Sequence, residues 1–204
     1  MRVIKGLDAL KRPPRRSVVT IGTFDGVHVG HQRLIQHTVQ LAKRLRGMSV
    51  AITFHPDPKC VLNPRHAQPP LTPLEIRVRL MQRSGIDLVW IIPFTHRFSR
   101  TSAEVFVRTV LLKRLHVSGL VVGEGFAFGK DRRGNLNLLR MLGRQHGMRV
   151  VVLPPVRRGG QPVSSSRIRH LIQLGELEQA RQLLGRPFAL HGSVVRGEGR
   201  GRWL

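Results

Sequence analysis

The chain of 204 residues has a single cysteine, Cys60, so no disulfide can form within it. A lone thiol fits a reducing compartment, and a cytoplasmic protein is the expectation. Long apolar runs are lacking too. Nothing approaches the roughly 18 apolar residues of a membrane-spanning helix, so no membrane partner is expected. The opening Met1-Arg2-Val3-Ile4-Lys5-Gly6 lacks the apolar core of a secretory signal. Acidic residues are scarce, 11 against 35 Lys plus Arg, for a formal net charge of +24. Such a surface attracts polyanions. The excess is mostly arginine spread along the whole chain, however, and no helix-turn-helix, zinc-ligand spacing or aromatic-interleaved RNA signature accompanies it. Nucleic-acid binding as the main role is therefore disfavoured.

What is present reads as a globular α/β chain. The 41% apolar fraction supports a normal core, and the length allows one ordinary domain with little left for a second. Ser17–Gly22 is a short β-rich run, and a helix follows from Gly30 to about Leu45, with Leu34, Ile35, Thr38, Ala42 and Leu45 on one face. Met48–Phe54 is the next strand, then a Pro-rich irregular stretch, His55–Pro70. Thr72-Pro73-Leu74-Glu75 predicts a helix capped by threonine, and Thr101-Ser102-Ala103-Glu104 another that runs to about Leu115. Strands are predicted at Asp87–Pro93, Val117–Val122 and Arg149–Leu153, and helices at Asn135–His146, Ser164–Leu174 and Glu176–Leu184. Alternating strands and helices imply βαβ units and a parallel sheet whose functional loops share one edge. Phe188–Val195 reads as one further strand.

Two segments carry chemistry. Gly22-Thr23-Phe24-Asp25-Gly26-Val27-His28-Val29-Gly30-His31 links the first strand to the first long helix. Its glycines permit sharp turns, and the helix start offers free N–H groups to a phosphate. His28 and His31 flank Gly30, where they can donate hydrogen bonds to developing charge. Ser164-Ser165-Ser166-Arg167-Ile168-Arg169 opens a late helix. One serine would suffice as a cap. Three hydroxyls with an arginine make a phosphate clamp, and Arg167 and Arg169, two apart, face different ways. No His, Cys and carboxylate set suggests a metal site in the protein itself.

These segments resemble the H-x-G-H and I-S-S-T-x-x-R motifs of the cytidylyltransferase-like nucleotidyltransferases. The resemblance sharpens to the bacterial bifunctional riboflavin kinase/FMN adenylyltransferase (FAD synthetase) family. Gly22 to His31 is similar to its G-x-F-D-G-x-H-x-G-H. Thr53-Phe54-His55-Pro56-Asp57-Pro58 resembles T-F-x-P-H-P, and Ile92-Pro93-Phe94-Thr95 resembles I-P-F-T/D. Gly123 to Gly129 with Arg132 and Gly134 is similar to G-x-D/N-F-x-F-G-x-x-R-x-G. Three positions depart from the pattern: Asp57 for His, Gly125 for Asp or Asn, and Ser166 for Thr.

The resemblance implies a Rossmann-like nucleotidyltransferase domain over residues 1–185 that transfers AMP from ATP to FMN, giving FAD and pyrophosphate, with Mg2+ carried by the nucleotide. It implies catalytic roles for His28, His31, Ser164, Ser165 and Arg169. ATP would be bound by Gly22, Thr23, Phe24, Asp25, Gly30 and Ser166, and FMN by Phe54, Pro56, Pro58, Phe126 and Phe128. Residues 186–204 resemble the incomplete start of the kinase barrel, so riboflavin kinase activity is expected to be absent. The H-x-G-H motif alone leaves open another acceptor, such as nicotinamide mononucleotide or phosphopantetheine, and an inactive remnant.

Overall fold

In a computed structural model, residues 2–193 and residue 195 are described. The strands are β1 (Arg2–Lys5), β2 (Ser17–Ile21), β3 (Met48–His55), β4 (Leu88–Pro93), β5 (Val117–Gly123) and β6 (Arg149–Leu153). They form one parallel sheet in the order β1-β4-β3-β2-β5-β6. A small antiparallel hairpin, β7 (Arg157–Arg158) and β8 (Gln161–Pro162), turns through Gly159 and Gly160, both at positive φ. The helices are α1 (Val29–Arg44), α2 (Pro58–Leu62), α3 (Leu74–Arg83), α4 (His96–Ser99), α5 (Ala103–Phe106), α6 (Leu136–Gln145), α7 (Ser165–Gln173) and α8 (Leu177–Leu184). α5 continues as a wider, π-type helix to Arg114.

Apolar runs form the central strands because both faces of a parallel sheet are covered. On one face, Val19, Ile21, Ile52, Trp90 and Leu120 pack against Phe106, Leu111, Leu115 and Leu139 of the α5 and α6 segments. On the other, Ala51, Val89 and Ile91 meet Ile35 of α1 and Val78 and Met81 of α3. Leu171 of α7 and Leu183 and Leu184 of α8 close a smaller cluster with Leu71 and Val163. The chain winds one way from β2 through β3 to β4, then the other way from β5 to β6. The crevice at the C-terminal ends of β2 and β5 is thus the switch point where ligands bind in such sheets. Among the described residues, no helix is long and apolar enough to cross a membrane.

Several expectations need correction. β1 escaped the sequence reading because it is four residues long, lies at the sheet edge and is largely exposed, so its alternation carries no signal. The stretch His55–Pro70 is not wholly irregular: it holds α2 and a turn of 3-10 helix at Pro64–His66. Thr72 does not cap α3. Its Oγ1 accepts instead from the Gly26 N–H at 3.1 Å. α5 is capped by Ser102, which accepts from the Val105 N–H, rather than by Thr101. No strand forms over 188–193, a segment without a neighbouring strand to pair with. The rest of the expected C-terminal fragment, residue 194 and residues 196–204, lies outside the described residues.

Candidate active site

The loop from Gly22 to His28 leaves β2 at the switch point and turns through an unusual run of left-handed backbone. Phe24 (φ 51°), Gly26 (φ 80°) and Val27 (φ 40°) all have positive φ. Glycine adopts this region freely, whereas a β-branched valine is strained there. Asp25 holds the turn together. Asp25 is 3% exposed, and its carboxylate accepts from the N–H groups of Leu71 (2.9 Å) and Thr72 (3.3 Å) and pairs with Arg169 Nη2. Its carbonyl accepts from Ser165 Oγ at 2.9 Å. One buried residue thus ties the β2 loop to the end of the Pro-rich stretch and to the start of α7.

His28 caps α1. Its Nδ1 accepts from the His31 N–H at 3.3 Å, which leaves Nε2 to carry the proton of the neutral ring. The two imidazoles stack with centroids 3.7 Å apart. Gly30 is required by this packing, since a Cβ there would lie 3.1 Å from the His28 ring. Burial, aided by the Arg186 charge, pushes His28 down to about 4. Burial, with the neighbouring His28 and Arg77, holds His31 well below its ordinary value. Both rings are therefore neutral near pH 7. The His31 Nδ1 is buried without a partner, and a group of that kind calls for a ligand or water. The N–H groups of Val29 and Gly30 lie in the first helical turn, where no helix carbonyl can reach them.

Ser164, Ser165 and Ser166 behave differently from one another. Ser164 caps α7 by accepting from the Arg167 N–H at 3.2 Å, Ser165 holds Asp25, and Ser166 is exposed. The two arginines face apart, as their spacing requires. Arg167 donates to the carbonyls of Arg158 and Gln161 and secures the hairpin, while Arg169 turns to Asp25 and to the Pro69 carbonyl (2.9 Å).

Beside the loop, six phenylalanines form a continuous array. Phe54 from β3, Phe94 after β4, Phe98 from α4 and Phe106 from α5 lead to Phe128 and Phe126 after β5. Phe126 and Phe128 stack with centroids 5.4 Å apart. Phe106 is buried, and the other five are only half-buried. Gly129, at φ 73°, and Gly134 let this loop press on Ala103, where a Cβ would come within 2.7 Å.

Most of the expected site residues converge, but not all as expected. His28, His31, Gly22, Gly30, Ser165, Asp25 and Arg169 gather at the β2 loop and the start of α7. Phe54, Phe126 and Phe128 belong to the aromatic array. Phe24, expected at ATP, buries its ring completely among Val27, Ile35 and Met81, edge-on to His31. Asp25 spends its carboxylate on Arg169 and two backbone N–H groups, and Thr23 offers its carbonyl to Thr53 Oγ1 and Arg77. Pro56 is exposed and Pro58 opens α2. Arg77 was missed. It is 5% exposed and donates to Thr23 O, while its Nε has no partner. The available signal was an arginine on the apolar stripe of α3, between Leu74 and Val78. Arg186 and Gln32, which reach the same loop, were missed too.

The FAD synthetase family model matches residues 10–167. This chain belongs to the FAD synthetase family. Over its whole length it is 35% identical to the bifunctional riboflavin kinase/FMN adenylyltransferase of Buchnera aphidicola subsp. Schizaphis graminum (strain Sg), of which it covers 66%. It thus spans just under two thirds of that relative. A crystal structure described as a macrolide-efflux protein from Streptococcus pneumoniae matches 98% of the chain with a TM-score of 0.87 and 31% identity, over 66% of its own length. Pantoate-beta-alanine ligase from Francisella tularensis, crystallised with beta-gamma ATP and beta-alanine, shares the fold at a TM-score of 0.52 and 15% identity, with 91% of this chain and 85% of that one covered. Two departures from the FAD synthetase pattern have clear local settings. Asp57 caps α2 through the Lys59 N–H at 2.8 Å. Gly125 sits in an exposed turn where an added Cβ would meet nothing within 4 Å.

Proposed function

We propose that this chain transfers the adenylyl group of ATP to FMN. An FMN phosphate oxygen attacks the α-phosphorus, the bond to the β-phosphate oxygen breaks, and FAD and pyrophosphate leave. The observation that carries this reading is a juxtaposition: a neutral, paired-histidine phosphate seat and a half-buried phenylalanine array share one edge of the sheet. The seat suits a polyphosphate, and the array suits a flat, apolar ring system.

No covalent bond to the protein is needed, so its work is positioning and charge stabilisation. The Val29 and Gly30 N–H groups receive phosphate oxygens. The His28 Nε2–H donates to an α-phosphoryl oxygen as charge grows there, and the orphaned His31 nitrogen lies beside it. Ser164 and Ser166 keep hydroxyl hydrogens free for the leaving phosphates. Arg169 adds positive charge while anchored to Asp25. Phe54, Phe126 and Phe128 hold the flavin ring. Mg2+ is a hard cation that seeks oxygen ligands. Among the described residues, no three His, Cys, Asp or Glu side chains come together for it. It would enter on the nucleotide, and no step is assigned to it. A cytoplasmic setting suits the lone, exposed Cys60.

The test is product analysis. The purified chain is incubated with ATP, Mg2+ and, in turn, FMN, nicotinamide mononucleotide and phosphopantetheine. FAD is expected from FMN, with slower or no turnover of the other two. Equal or faster use of either rival acceptor, or no product at all, contradicts the proposal.

A further inference from the structure

The strained turn before His28 is held from one side by a clamp. Arg186, two residues past the end of α8, donates from Nη2 to the Gly26 carbonyl at 2.7 Å. Its Nη1 lies 3.4 Å from both the Val27 and Leu184 carbonyls. From the first turn of α1, Gln32 Nε2 donates to the same Val27 and Leu184 carbonyls, at 2.8 and 2.9 Å. Gly185, at φ 71°, makes the approach possible, since a Cβ there would sit 3.1 Å from Val29 and 3.3 Å from the Gln32 amide. Two side chains thus satisfy the last carbonyl of α8 and both carbonyls of the turn. They do so at Val27, a buried β-branched residue in the left-handed region. Backbone of that kind persists only when its surroundings over-determine it.

We infer that Arg186 is a positioning residue for adenylyl transfer. With Gln32 it holds the Gly26–Val27 turn in its strained form, and this sets the His28 ring and the first N–H groups of α1 toward the phosphates. Arg186 acts through the turn and does not touch the flavin side. Without it, the Gly26 carbonyl loses its Arg186 donor and the Val27 and Leu184 carbonyls keep only Gln32, so Val27 relaxes toward negative φ and the peptide that leads into His28 rotates. This inference rests on the adenylyl-transfer reading above.

The variants Arg186→Ala, Gln32→Ala and Val27→Gly, with the double variants, test it by steady-state kinetics. A wild-type chain that makes no FAD overturns the adenylyl-transfer reading, and the positioning role with it. With the wild type active, Arg186→Ala is expected to lower kcat about tenfold or more while KM for FMN stays within about twofold. Gln32→Ala, which leaves Arg186 on all three carbonyls, should give a smaller loss of the same kind. Glycine takes positive φ without strain. The clamp therefore matters less once Val27 is glycine, and Arg186→Ala should cost about threefold less in that background. A residue that merely supplied charge or stability would show no such dependence on position 27. Three results overturn the inference: a kcat for Arg186→Ala within about twofold of the wild type, a loss carried by KM for FMN, or an equal loss in both Val27 backgrounds. Should Arg186→Ala fail to fold, Gln32→Ala takes its place in the same two backgrounds under the same criteria.

Discussion

At the scale of single residues, both His28 and His31 are uncharged near pH 7. His28 accepts at Nδ1 from the backbone, so its neutral ring offers one donor, Nε2–H, in a fixed direction. Neutrality has a consequence for stability. The folded-state value of about 4 lies below the ordinary 6.5. As pH falls, the unfolded chain therefore takes up its proton first. Stability should be intact above about pH 6.5, fall progressively toward pH 4, and flatten below it, where both states are protonated. At about 1.4 kcal/mol per pH unit, His28 alone accounts for a loss on the order of 3 kcal/mol. His31 acts in the same direction. Urea unfolding at about pH 7 and about pH 4.5 should show the loss, and His28→Gln should remove part of the slope. A pH-independent midpoint across that range would contradict the assignment.

At the scale of elements, the site depends on one buried ion pair that joins the β2 loop to α7 across 144 residues of sequence. Arg169 is therefore a structural tie as well as a candidate phosphate contact. Asp25→Ala would strand a mostly buried guanidinium and the Leu71 and Thr72 N–H groups at once. Removal of one partner of such a pair typically costs about 3–5 kcal/mol. Arg169→Ala should cost less, because the carboxylate keeps its two backbone donors. Urea melts of both single variants and the double variant should give a coupling above about 0.5 kcal/mol. Additive losses would show that the pair does not act as a unit. An activity loss in Arg169→Ala has to be separated from the stability loss by turnover measurements well below the melting temperature.

At the scale of the whole molecule, the dominant quantity is the +24 charge. Among the described residues, ion pairs join only Arg114 to Asp8, Arg169 to Asp25 and Arg181 to Glu178. Most of the positive side chains therefore repel one another through solvent. Raising the salt from about 10 mM to about 200 mM shortens the screening length from roughly 30 Å to under 10 Å. It should raise the melting temperature by relieving that repulsion. A melting temperature that stays flat or falls over this range would show that local pairing already cancels the field.

Local signals in the sequence determined the alternation of elements, the parallel sheet and the glycine-rich turn at Gly22–His31. Each depends on residues a few positions apart: apolar runs in β2 to β6, the helical stripe of α1, the Ser164 cap, and glycines spaced around two histidines. The resemblance to the FAD synthetase motifs picked out Phe54, Phe126 and Phe128 one by one. Only the tertiary structure decided what these residues meet. The strand order sets the ends of β4 and β3 side by side with β5 beyond β2, and Phe98 and Phe106 from α4 and α5 join the separate phenylalanines into one array. The burial of Asp25 assigns its carboxylate to Arg169, and the fit of α8 onto the first turn of α1 brings Arg186 to Val27. Arg77 reaches Thr23 only because α3 packs beneath the β2 loop. The physical reason is range. Helix caps, turns and periodicity are set by neighbours along the chain, whereas a buried charge or an orphaned carbonyl takes whichever partner the folded chain carries to it, and which residue that is cannot be read from either position alone.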